Sequence, residues 1–328
     1  MFIIQGIICQ AITVLGIFGN IINCIVFVKQ GFSDNINVSL LGLTISDLCS
    51  LICIMWTSLF FIPVARDTDL FSSDVHVLSG TLPHIIFTRI TGWITAFISL
   101  ERCVCVIKPL KVKTMFTRKR HFNAMIVIYA VTIASAIPAY VSIGLEWTFF
   151  PAENKSRISL IQRLDENGRK VTDALTHAVS GVLIPVSCVV SVVVLTTILV
   201  VQLNKTAAWR KSVSPGVIRD TQQPNAKVVI NNKEMKIAKM VVIMSLIFIA
   251  SFFPAAGIFL TEIVEPTFNY DKLNRRLVFV TLSVSFTLEV INSSVNTFVY
   301  FRMSTKYRET FLKLFRLNRL PNGYYRND

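Results

Sequence analysis

Ionisable residues along this chain fall in bursts, separated by seven apolar stretches in which charge is absent or reduced to one residue. Residues 1–28, 121–145, 174–204 and 240–261 carry none, while 35–65 hold only Asp47, 75–100 only Arg89 and 277–301 only Glu289. A bilayer core about 30 Å thick needs roughly 20 helical residues at about 1.5 Å each. Every gap is that long. The pattern predicts an all-α membrane protein, a seven-transmembrane helix bundle forming a single domain over residues 1–328. Its spans are expected near 3–28, 36–62, 77–106, 121–145, 174–203, 236–261 and 277–301. The first stretch lacks a basic leading segment and runs apolar for longer than a signal-peptide core. It reads as a span, so that the sequence enters the membrane almost at its start.

Composition agrees. Of the residues, 53% are hydrophobic and 16% charged, with mean hydropathy +0.59, against roughly 25% charged in a soluble domain. The net charge of +14 does not point to nucleic acid, because the basic residues flank apolar runs and do not form a separate polar domain. Such flanks suit anionic lipid headgroups and a cytosolic partner. Placing the amino terminus outside puts 23 of the 33 Lys and Arg residues on the cytosolic side. Cytoplasmic loops retain positive charge, so this orientation is expected, with the carboxyl terminus inside. The seven cysteines at 9, 24, 49, 53, 103, 105 and 188 lie in or beside apolar runs and read as small buried hydrophobes.

Two polar stretches separate spans. Residues 146–173 form an outer loop with a glycosylation acceptor at Asn154-Lys155-Ser156, and 205–235 form an inner loop. After the last span, Tyr307, Phe311, Leu314 and Phe315 recur at helical spacing among Lys306, Arg308, Lys313 and Arg316. That pattern predicts a short amphipathic helix over 304–316 lying on the inner membrane surface.

Glu101-Arg102-Cys103 stands at the cytosolic end of the third span, with Pro109-Leu110 following. Arg102 is a permanent cation at a membrane boundary and needs an acidic partner. Glu234, twenty residues before Pro254, is the candidate. Asp47 lies near mid-membrane, where a carboxylate costs roughly 3 kcal/mol unless partners or function offset it. The seventh span ends Asn296-Thr297-Phe298-Val299-Tyr300, and Pro185 and Pro254 mark hinges in the fifth and sixth. Taken with Asn20 after Gly19, this set resembles the rhodopsin-like (class A) G-protein-coupled receptors over essentially the whole chain, and is most similar to divergent invertebrate chemosensory and peptide receptors.

The resemblance implies a switch of Glu101, Arg102, Leu110, Glu234, Asn296 and Tyr300, in which release of an Arg102–Glu234 contact lets the sixth helix admit a G protein. It implies a candidate sodium site at Asp47, Thr91, Asn292, Ser293 and Asn296, the alternative being a hydrogen-bonded polar core without an ion. It places a ligand pocket at His84, Arg89, His177, Phe252, Phe259 and Glu289, with Arg89 and Glu289 as a candidate ion pair. Departures are also present: Thr297 replaces a proline, Phe252 a tryptophan and Val193 a tyrosine, Val77 stands where the family has a disulfide cysteine, and 146–173 contain no cysteine. The implied partners are a heterotrimeric G protein, an extracellular small molecule or short peptide, and membrane lipids. The implied location is the plasma membrane. The chain carries no Ser-His-Asp set, metal cluster or phosphate loop, so an enzyme is not expected. A transporter or channel using Asp47, Arg89 and Glu289 as a polar pathway, or a non-signalling seven-span relative, remains the alternative.

Overall fold

The computed structural model describes residues 2–62, 73–151, 154–212, 232–264 and 275–315. Within lipid a segment must satisfy its own backbone hydrogen bonds, and helices do so without neighbours. The long apolar runs accordingly wind as helices: α1 (Gln10–Gln30), α2 (Ile36–Leu59), α3 (Leu82–Ile107), α4 (Arg118–Ala134), α5 (Ile184–Ser212), α6 (Asn232–Val264) and α7 (Arg275–Met303). The surface helix α8 (Thr305–Leu314) follows, capped by the Ser304 hydroxyl, which accepts from the Tyr307 N–H. Wide π-helical turns lead into α1 (Phe2–Cys9), α3 (Val77–Thr81) and α5 (Thr176–Leu183).

Six of the described helical segments are long and apolar enough to cross a membrane. The seventh span, α7, has 29 residues but is interrupted by Ser, Thr, Asn and Glu289. Its polar residues face inward: Ser283, Ser285, Glu289, Asn292, Ser293 and Asn296 are buried, whereas Phe298 is 68% exposed. Apolar side chains such as Leu15, Phe18 and Phe253 likewise point out of the bundle. An apolar exterior around a polar interior is what a lipid solvent selects.

α3 is the central helix, packing on α2, α4, α5 and α6, while α1 packs on α2 and α7, and α6 on α5 and α7. Of the most apolar stretch of each span, 72% is buried for α3 and 17% for α4, which lies at the rim. Close approach of α1 to α7 depends on glycine: a Cβ on Gly16 would sit 2.1 Å from the Ser294 hydroxyl.

The fourth span departs from expectation at its outer end. Helix α4 breaks at Ser135 and Ala136, resumes over Ile137–Ser142, and gives way at Ile143 to a strand, so residues 143–145 are not helical. Strands β1 (Ile143–Phe150) and β2 (Lys155–Gln162) form an antiparallel hairpin with Leu145 opposite Leu160. Exposed Asn154 stands at its turn with φ 51°, a left-handed conformation that asparagine tolerates. All seven cysteines are free. The Leu160 N–H ties the hairpin to Asp74 Oδ2 at 2.9 Å, and the helical turn before it is tied by the Tyr140 hydroxyl, which donates to the Leu78 carbonyl at 3.1 Å.

Candidate functional site

At the end of the bundle opposite the hairpin, α3 turns Glu101 and Arg102 into the interior, both nearly fully buried. Arg102 Nη2 lies 2.7 Å from Glu101 Oε1, and Nη1 donates to Glu234 Oε2 at 2.7 Å. The guanidinium thus joins neighbouring carboxylates on α3 and α6. Arg102 needs these partners because a lone cation there has no water shell. The side chain of Leu110 lies outside the described residues. Tyr300 is buried near this end of α7, edge-on to Phe27 at 5.2 Å, and its hydroxyl has no hydrogen bond among the described residues.

Asp47 is fully buried. Its Oδ1 accepts from the Thr91 and Ser293 hydroxyls at 2.8 and 3.0 Å, and its Oδ2 from the Asn296 amide at 2.7 Å. Three helices therefore meet on one carboxylate. Asn20 stands apart, donating instead to the Gly16 and Ser293 carbonyls, and Asn292 is buried nearby without a bond to Asp47. One carboxylate among neutral hydroxyl and amide oxygens is a donor set that fits a monovalent cation. Thr91, Ser293 and Asn296 would have to turn lone pairs toward it.

Further toward the hairpin end, His84 is fully buried, and its Nε2 lies 3.2 Å from Glu289 Oε2. Ser50 holds the other ring nitrogen through its hydroxyl at 2.9 Å, and Phe286 packs edge-on at 5.5 Å. The contact partner of Glu289 is therefore His84; Arg89, whose guanidinium makes no ion pair or hydrogen bond among the described residues, acts on Glu289 only as a longer-range charge. His84 lies on the face of α3 that meets α2 and α7; Arg89, five residues later, is rotated well away from it.

His177 does not join this group. It is exposed on the π-helical entry to α5. The resemblance places it in the pocket, but it lies in wide π-helical turns that do not keep the register of a regular α-helix. Phe252 stacks on Phe248 with centroids 4.2 Å apart. The side chain of Phe259 lies outside the described residues.

A family profile described as the serpentine type 7TM GPCR chemoreceptor Srw matches residues 8–318. The chain belongs to that family. It is also 23% identical over 309 residues, 92% of this chain and 77% of the relative, to an allatostatin-A receptor from Bombyx mori. It is a G-protein-coupled receptor of the chemoreceptor kind and not an enzyme. G proteins and outer ligands are the partners such receptors have in general.

The receptor also carries polar connections that sequence reasoning missed. Asn23 donates to the Thr297 hydroxyl at 2.9 Å and accepts from the Tyr307 hydroxyl. The spacing of Asn23, three residues after Asn20, was the available signal, since both then face α7. Lys306 pairs with Asp34 at 2.8 Å, tying α8 to the turn between α1 and α2. His121 on α4 lies 3.5 Å from Glu101 Oε1, and nothing in its sequence neighbourhood marks it.

Proposed function

We propose that this receptor sits in the plasma membrane with its amino terminus outside and its carboxyl terminus in the cytosol. It binds a small molecule or short peptide between the outer ends of its helices and activates a heterotrimeric G protein. The observation that carries this reading is the pair of ion-pair contacts from Arg102 to Glu101 on α3 and to Glu234 on α6. That contact ties α6 to the central helix at the end rich in Lys and Arg, where a cytosolic partner would enter. A ligand drives exchange only to the extent that it binds the α6-released state more tightly.

His84, Glu289 and Arg89 supply polar and charged groups for ligand recognition. A peptide ligand is supported by likeness to the allatostatin-A receptor, and a chemosensory one by the description of the family. Sodium at Asp47 and a glycan on exposed Asn154 belong to the same reading.

The test is nucleotide exchange on a purified heterotrimer added to membranes carrying the chain. Wild-type membranes are expected to exceed membranes without it, and Arg102→Ala to remove the difference. An Arg102→Ala chain that drives exchange as well as wild type, at matched surface expression, overturns the reading.

A further inference from the structure

Two carboxylates and one guanidinium meet at the switch, which leaves one negative charge in excess. Glu234 is 42% exposed along its side chain and can be offset by solvent, but Glu101 is 4% exposed. Buried charge needs hydrogen-bearing partners. Besides Arg102, the polar group facing Glu101 is His121 Nε2, 3.5 Å from the same oxygen that Arg102 contacts. At that length the contact is electrostatic and not an aligned hydrogen bond.

The ring is held on every side. His121 is fully buried, its Nδ1 is 2.8 Å from the Ser39 hydroxyl of α2, and Phe97 and Phe116 pack edge-on at 5.2 and 6.0 Å. Ser39 can donate to Nδ1, which puts the ring hydrogen on Nε2, facing the carboxylate. The opposite tautomer would set a lone pair against Glu101 and is disfavoured. The assignment follows from the neighbours of the ring.

We propose that His121 is a positioning residue of the switch: from α4, and braced by Ser39 on α2, it holds the Glu101 carboxylate where Arg102 needs it. Glu101 then keeps the guanidinium turned so that its other nitrogen reaches Glu234. The rim helix α4 thereby acts on the α3–α6 contact without touching α6. This inference rests on the switch reading above.

The experiment compares basal nucleotide exchange in membranes carrying wild type, His121→Phe, His121→Gln and Glu234→Ala at matched surface expression. Phenylalanine preserves packing against Phe97 and Phe116 but removes the ring hydrogen; glutamine restores an N–H near Glu101. His121→Phe is expected to raise basal exchange about threefold, the effect of losing one polar contact of hydrogen-bond scale, with His121→Gln close to wild type. If Glu234→Ala raises exchange and His121→Phe does not, the switch stands and the role of His121 falls. A rise with His121→Phe alone removes Glu234 from the restraint and overturns the route by which His121 is proposed to act. No rise in either overturns both. A purely structural role is exposed by equal effects of phenylalanine and glutamine, and that result also overturns the proposal.

Discussion

Asn23 on α1 donates to the Thr297 hydroxyl on α7 at 2.9 Å, at the position where the family resemblance leads one to expect proline. The substitution does more than restore a backbone donor. Threonine supplies a hydroxyl that Asn23 engages while its amide oxygen takes the Tyr307 hydroxyl of α8. Three helices are joined through one buried amide, which is fully satisfied only while Thr297 and Tyr307 stay in place. Thr297→Val keeps the shape and deletes the acceptor. It is expected to destabilise the receptor by about 1–3 kcal/mol, the cost of a buried donor left unpaired. Thermal inactivation in detergent measures this; a midpoint equal to that of wild type would show that the clasp contributes nothing.

His84 and Glu289 form a buried pair, and such pairs cost more to break than to replace. Glu289→Leu strands the His84 ring nitrogen and is expected to destabilise by about 3 kcal/mol. His84→Leu combined with Glu289→Leu is expected to recover part of that loss. Strict additivity of the two substitutions in the same thermal assay would contradict the pairing.

The close approach of α1 to α7 gives a third prediction. A methyl at residue 16 meets the Ser294 hydroxyl and the Leu51 side chain, the latter at 2.9 Å. Gly16→Ala is therefore expected to cost about 1–3 kcal/mol by overpacking, seen as a lower folded yield. Unchanged yield and thermal midpoint would mean that the helices separate freely there.

Sodium at Asp47 is tested by replacing sodium with choline at constant ionic strength. A bound ion that favours the resting arrangement makes basal exchange fall as sodium rises. Asp47→Asn is expected to abolish that dependence. The same response in Asp47→Asn and wild type would leave Asp47 as a hydrogen-bonded core residue.

Much of this architecture was legible in the spacing of charges. Gaps of 20 or more residues located the helices, and the distance from Pro254 pointed to Glu234 as a partner for Arg102. Hydropathy reports length and burial but not backbone type. It therefore ran the fourth span through Ile143, where the chain has already turned into a strand whose bonds are made to β2. His177 was placed in the pocket by the resemblance alone, which does not show the wide turns that carry it. Arg89 and Glu289 were paired on charge alone, when His84 stood nearer. His121 was invisible because its meaning lies in Ser39 and Glu101, on two other helices.

The restraint of α6 by Arg102 carries the functional reading, and basal nucleotide exchange driven by Glu234→Ala probes it without a known ligand. Removing a partly exposed partner of a buried guanidinium is worth about 1 kcal/mol, so basal exchange is expected to rise roughly fivefold at equal surface expression. Basal exchange equal to or below that of wild type would contradict the restraint.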